Sequence, residues 1–280
     1  MAVEAVEVDD ALFEVLVAFS AAADKVKAPW IMVGATARIL LLERIYGWPR
    51  GLATQDIDFG VQVKDWEHYK QLCEYISENN VLEAERTPTK RFRSRQNMAF
   101  DLVPYGGVEN EHKQVFWPPH NDDVMTVRGF DVVACDAVSV IVNQKLMVSV
   151  VSPIGLCALK LFAWHERHTQ HPGRDVKDIA YLYNNIELLY SSDKLFSEHL
   201  NAIEATDYQI QSAGLYQLGC DVGGLISEDD YRFLINVLSG ELGEGEDSAL
   251  CRELHRYTKM SSIQDTQKAL YNFYSGFCRN

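Results

Sequence analysis

The tightest constraint on this chain is the stretch from Trp30 to Val63. There an apolar run stops at a glycine and, one helix and one loop later, a second apolar run carries two acids. Ile31 to Val33 reads as a strand, Gly34-Ala35-Thr36-Ala37 as a turn of small residues, and Ile39, Leu42 and Ile45 carry helical spacing. Gly47, Trp48, Pro49, Arg50 and Gly51 form a loop, because glycine and proline end the periodic pattern. Asp56 and Asp58 flank Ile57 in the next strand, and side chains at i and i+2 leave a strand on the same face. Two carboxylates held that close repel each other, so a cation is their natural partner. Oxygen-only donors suit Mg²⁺, which binds carboxylates together with substrate phosphates. An Asp-x-Asp pair also occurs at strand ends that simply face solvent. The glycine turn upstream is what favours phosphoryl-type chemistry on a nucleotide.

A chain of 280 residues has room for one large or two modest domains with a real core. Its 47% apolar and 24% charged content is that of an ordinary globular protein. A net charge of −14 argues against a generic nucleic-acid coat but leaves room for a local basic groove. Six cysteines are scattered with no Cys-x-x-Cys pair, which suits free thiols in a reducing compartment better than disulfides or a zinc site. The acidic first residues lack the basic-then-apolar layout of a signal peptide. The most apolar region, 130 to 161, is interrupted by Asp131, Asp136, Asn143, Lys145 and Pro153, so nothing there would span a bilayer. The expectation is a cytoplasmic protein without membrane contact.

The pattern predicts helices over 9–25, 36–46 and 64–77, and strands over 30–33 and 56–63. Short strands are expected over 81–85, 90–95, 97–103, 113–117, 123–133 in two pieces and 138–150 in two pieces. From Ser152 the character turns helical, with Ser152 as an N-cap candidate and Pro153 at the first helical position. Helices follow over 174–189, 207–222, 228–238, 246–258 and 263–277, with an acidic, glycine-rich loop over 240–247. No internal repeat is visible. The order is a mixed α/β half, 1–150, followed by an α-helical half, 151–280.

Asp101, between Phe100 and Leu102, is the next carboxylate inside an apolar strand, where aspartate is disfavoured. It is either a third ligand for the same metal or a strand-end acid before Pro104. Three carboxylates can hold two metal ions, which activate an attacking oxygen and neutralise a leaving pyrophosphate. The turn Gly34-Ala35-Thr36 would cradle a triphosphate through backbone N–H groups and the start of the following helix. Arg86, Lys90, Arg91, Arg93 and Arg95 form a basic cluster in an acidic chain. They read either as contacts to phosphates of a nucleotide or RNA, or as a charged, solvated edge strand. His165, His168 and His171 read as a polar helix end rather than a zinc site, because Pro172-Gly173 ends the helix and no cysteine is near.

The combination Val33-Gly34-Ala35-Thr36, helix, Asp56-Ile57-Asp58 resembles the nucleotidyltransferase superfamily related to DNA polymerase beta. Within it, Gly34-Ala-Thr-Ala37 and Asp56-Ile-Asp-Phe59 look most like the AbiEii-type toxin nucleotidyltransferases. Lys160 on a helix after the sheet, and Arg174-Asp-Val-Lys-Asp178, also follow that branch. The resemblance covers residues 30 to 190. It departs at Ala35, where Gly or Ser is usual, and in a longer spacer over Glu43 to Arg50.

The resemblance implies an α+β NTase fold with a mixed β-sheet, followed by the helical domain. Asp56, Asp58 and Asp101 would be catalytic and hold Mg²⁺ or Mn²⁺. Gly34, Ala35, Thr36, Arg38, Lys160 and Asp175 would bind the nucleoside triphosphate, with Lys160 also catalytic. From the residues alone, Lys160 is either a phosphate partner or a snorkelling lysine, and Asp175 suits a helix start in any case. The implied reaction moves a nucleoside monophosphate to a hydroxyl of RNA, particularly a tRNA end, or of a protein, in a toxin with an antitoxin. The other readings are an inactive NTase-fold binding protein and an antibiotic-type nucleotidyltransferase.

Overall fold

The computed structural model describes residues 4–54, 56–78, 82–84, 90–118 and 123–278. The chain divides into two compact units, Met1–Ser152 and Pro153–Asn280. Together they give an α+β protein: a large mixed sheet with flanking helices in the first unit, and helices throughout the second.

The strands of the main sheet are β1 (Glu4–Val6), β2 (Trp30–Val33), β3 (Asp56–Val63), β4 (Leu82–Ala84), β5 (Arg91–Ser94), β6 (Ala99–Gly106), and, after the β7–β8 ribbon (Gln114–Phe116, Val124–Thr126), β9 (Val138–Val142) and β10 (Leu146–Val150). Their order is β1-β9-β10-β2-β3-β6-β5-β4. The acid-bearing strand β3 is therefore central, antiparallel to β2 and parallel to β6. Alternation explains its two faces. Ile57, Phe59, Val61 and Val63 are buried, and Phe59 stacks on Phe19 of helix α1 (Asp10–Val26), with ring centroids 4.3 Å apart. Phe100 of β6 adds its ring at 5.8 Å from Phe59 and stacks on Phe92 of β5. Burying one such aromatic contributes roughly 1.5–3 kcal/mol, so this face anchors the sheet. Asp56, Asp58 and Gly60 occupy the other face.

Three expectations change. After the short helix α2 (Gly34–Arg38) the chain widens into a π-helical turn over Ile39–Ile45, closed by Tyr46 N–H donating to Leu41 C=O at 3.0 Å. It buries Leu40, Leu41 and Leu42 in succession rather than the Ile39, Leu42, Ile45 stripe. Helix α3 (Trp66–Glu78) follows β3 as expected. The second strand piece expected within 123–133 is instead helix α4, Phe130–Cys135. Gly129, at φ +78°, breaks the extended run, and the buried pair Phe130 and Val133 has helical spacing. Phe130 lies against Gly60, where a β-carbon would come within 2.8 Å of its ring. The acid-bearing face is thus covered at its Gly60 end. Third, the expected loop over 240–247 is helical as far as Gly243, followed by a 3₁₀ turn over Gly245–Asp247. Glu241 caps the next helix, accepting from the Ser248 hydroxyl at 2.6 Å and Leu250 N–H at 3.0 Å.

In the second unit, α5 (Pro153–Arg167) and α6 (Val176–Asn184) bury Leu156, Leu159, Phe162, Ile179 and Leu182. Helices Ile210–Leu225 and Ile263–Phe277 approach through Gly219 and Gly276. A β-carbon at Gly219 would lie 2.7 Å from the Phe277 nitrogen, and one at Gly276 would lie 2.7 Å from the Tyr216 carbonyl carbon. Only a residue without a side chain admits that approach.

Candidate functional site

In the β3–β6 register Asp58 stands opposite Asp101, and in the β5–β6 hairpin Arg91 stands opposite Asp101 as well. Register partners share a face and i, i+2 residues share a face. Asp56, Asp58, Asp101 and Arg91 therefore project from one side of the sheet. The Arg91 guanidinium reaches Asp56 Oδ1 at 2.5 Å through Nη2 and Asp101 Oδ1 at 3.5 Å through Nε. Among the described residues no three ligating groups converge on a single point as they stand. Asp56 and Asp101 flank the Arg91 guanidinium instead.

The turn arrives at the same place. Gly34 has φ +73°, the left-handed region that glycine occupies without strain. A β-carbon there would lie 3.0 Å from the Asp58 carboxyl carbon, and closer still to its Oδ2. Ala35 and Thr36 follow in the first turn of α2, both half-buried. The Thr36 hydroxyl donates to Asp56 C=O at 2.7 Å, tying the turn to the acid strand. Behind the turn a cavity of about 430 Å³ is lined by Leu12, Thr36, Leu40, Thr54, Ile57 and Met98.

Electrostatics show how crowded this face is. Burial pushes the Asp101 carboxyl up, the Arg91 charge pulls it down, and Asp58 and Asp56 push it up again, leaving it at about 6. A folded-state value above the ordinary 3.8 means that the charged form opposes folding. The cost is absent below about pH 4, grows as pH rises toward 6, and is complete above that. Asp101→Asn should therefore raise Tm at pH 8 in EDTA, and the gain should vanish near pH 4. Thermal melts across that range check it, and a gain of equal size at both ends would contradict the assignment.

Arg38 is buried, with its guanidinium on the Glu43 carboxylate and on Leu52 C=O at 2.5 Å. Glu43 also accepts from Gly51 N–H at 3.1 Å. Arg38 thus braces the loop that follows the π-helical turn instead of presenting its charge at the turn's mouth. Lys90 pairs with Asp123 and lies 5.1 Å from the Trp117 ring centroid, and Arg93 donates to Asn97. Arg95 is exposed, and Arg86 lies outside the described residues.

Within the second unit, Lys160 is 14% exposed and lies 2.8 Å from Asp178 Oδ2 and 3.3 Å from Asp175 Oδ1. Asp175 also takes two hydrogen bonds from Arg167, both at 2.7 Å. Burial raises its carboxyl, but the Arg167 hydrogen bonds and the Lys160 and Arg167 charges outweigh that and hold it below the ordinary value. Asp175 therefore adds stability above its unfolded value, and that contribution is lost as pH falls through the depressed one. Lys160→Met should cost about 3 kcal/mol, because it removes an ammonium that lies against two largely buried carboxylates. Urea unfolding measures it, and a loss below about 0.5 kcal/mol, the range of an ordinary surface substitution, would mean that these ion pairs add nothing to stability.

Residues 15–266 match the family described as nucleotidyl transferase AbiEii toxin, type IV TA system. The chain belongs to this family. Family membership makes it a nucleotidyltransferase and places it on the toxin side of a toxin–antitoxin pair. No curated protein matches the sequence significantly. Among solved structures, a Thermotoga maritima CCA-adding enzyme complexed with tRNA is 12% identical, with a TM-score of 0.25, over 97% of this chain and 82% of that one. Among the described residues no helix is long and apolar enough to cross a membrane.

Proposed function

We propose that this AbiEii-family chain transfers a nucleoside monophosphate from a nucleoside triphosphate to a hydroxyl, with Asp56, Asp58 and Asp101 holding Mg²⁺ or Mn²⁺. One observation carries the reading: the left-handed bend at Gly34 abuts the Asp58 carboxylate, which is itself in register with Asp101. The donor set fits a divalent cation. The Asp58 and Asp56 charges push the Asp101 carboxyl up, and the site already draws a guanidinium between Asp56 and Asp101. Bound there, the ion would supply Lewis-acid activation of the acceptor oxygen and neutralise charge on the leaving pyrophosphate.

The protein's own groups do the rest. Backbone N–H groups of Gly34 to Thr36 receive phosphate oxygens, and glycine at 34 puts no side chain against the Asp58 carboxylate. The Asp101 carboxylate takes the acceptor hydroxyl's proton. Lys160 and Asp175 enter as nucleotide-binding residues on the family pattern. A triphosphate at Lys160 would compete with Asp178 and Asp175 for its ammonium.

RNA, a tRNA end in particular, is the acceptor we favour. Arg91, Arg93 and Arg95 sit on the hairpin beside Asp101 in a chain of net charge −14, and a local track of cations suits a polyanion. Incubation with each α-labelled nucleoside triphosphate, Mg²⁺, and total RNA or lysate protein tests this. Label should enter RNA. Label in protein instead would move the acceptor, and label in neither would end the reading.

A further inference from the structure

Arg91 sits where the proposed reaction needs a metal. Its guanidinium spans Asp56 and Asp101, at 2.5 and 3.5 Å, and its side chain is 36% exposed. A fully buried arginine held on all sides would be a fixed strut. This one has an open side through which it can leave. It also rises from β5, a strand of four residues near the sheet edge, with β4 outside it and only three residues long. Guanidinium and a divalent cation compete for the same carboxylate oxygens, and a carboxylate that ligates a metal has fewer lone pairs left for a fork of N–H donors.

From this geometry we infer that Arg91 is the resident counter-cation of the metal-free site. Divalent metal displaces it, and its freed guanidinium then binds the phosphates of the incoming nucleotide. The inference rests on the metal-site reading given above and adds a positioning role for a residue outside the acid triad. A guanidinium leaving Asp56 and Asp101 remains beside both, because its backbone stays in register opposite Asp101, held by the neighbouring bond from Leu102 N–H to Lys90 C=O at 2.7 Å. The ligand chemistry within its reach is then a phosphate oxygen, for which the planar donor fork is suited. Arg91 thereby links the two binding events: the site stays neutralised when empty, and metal entry releases a phosphate ligand.

A single variant separates this role from a structural one, because it predicts changes of opposite sign. In Arg91→Gln, Mn²⁺ should bind the nucleotide-free protein about fivefold more tightly than in the unaltered chain, the scale of one partly exposed ion pair. Inorganic tripolyphosphate, measured at saturating Mn²⁺, should bind about fivefold more weakly, the loss of one charged phosphate contact. Mn²⁺ electron paramagnetic resonance titration and calorimetry give the two constants. Lys70→Gln, which removes an exposed charge from helix α3 outside the proposed site, controls for net charge and should change neither by more than about twofold.

Equal Mn²⁺ affinity in the unaltered chain and Arg91→Gln would overturn the counter-cation role while leaving the metal site standing. Weaker Mn²⁺ binding in Arg91→Gln would overturn it as well, making Arg91 a support for the acids. Tighter Mn²⁺ with unchanged tripolyphosphate binding would remove the phosphate half of the inference. No Mn²⁺ binding in any variant, with all of them folded, would end both the inference and the metal-site reading on which it rests.

Discussion

Asp58→Asn should abolish label transfer, lowering the rate by about 10³, the equivalent of several kcal/mol of lost charge stabilisation. The substitution is nearly isosteric, so the contact with the Gly34 turn survives and the fold should persist. Two readouts distinguish loss of the site from loss of structure. Mn²⁺ binding should fall with activity, whereas the thermal midpoint should hold or rise, because one of the charges that raises Asp101 has gone. For the same reason the Asp101 carboxyl should titrate lower in this variant. Followed by carboxylate NMR, it should move from about 6 toward the ordinary value. Transfer at the original rate in a folded Asp58→Asn protein would remove the proposed site.

Gly34→Ala should be damaging out of proportion to one methyl group. The left-handed backbone costs a non-glycine residue about 1–2 kcal/mol, and the new β-carbon would lie 3.0 Å from the Asp58 carboxyl carbon. The Asp58 carboxylate would have to turn away from the bend it abuts. We expect a stability loss of roughly 1–3 kcal/mol and loss of transfer activity in the fraction that remains folded. Gly47 supplies the control. It also has a positive φ, yet a β-carbon there would meet nothing within 4 Å. Gly47→Ala should share the backbone penalty and keep activity. Equal activity in the two variants would mean that the bend at Gly34 has no part in the site.

Much of this arrangement could be read from residues alone, for reasons that differ by position. Strand β3 was legible because its two faces have opposite chemistry, and Asp101 because an acid in an apolar strand stands out. Arg91 lay in plain view as part of a basic cluster, but its place among the acids depends on hairpin register. Pairing Arg91 with Asp101 follows only once the turn is centred on Gln96. Arg38 and Glu43 are five residues apart, a spacing that no ordinary helix brings together but that one π-helical turn does. Helix α4 escaped because six residues carry too little periodicity to separate a helix from a short strand. The continuation through Gly240 and Gly243 escaped because glycine in a helix is tolerated where neighbouring contacts, here those of Glu241, fix the end.

The hydrogen bond from the Thr36 hydroxyl to the Asp56 carbonyl has a consequence for how substrate is taken up. With the antiparallel pairing of β2 and β3, it holds the bend proposed to receive phosphate and the acid-bearing strand as one preorganised body. The spacing between triphosphate and carboxylates is then set before any ligand arrives, and little ordering entropy is lost there on binding. Adjustment to different acceptors falls to side chains around that body, while the body itself stays unchanged from one turnover to the next.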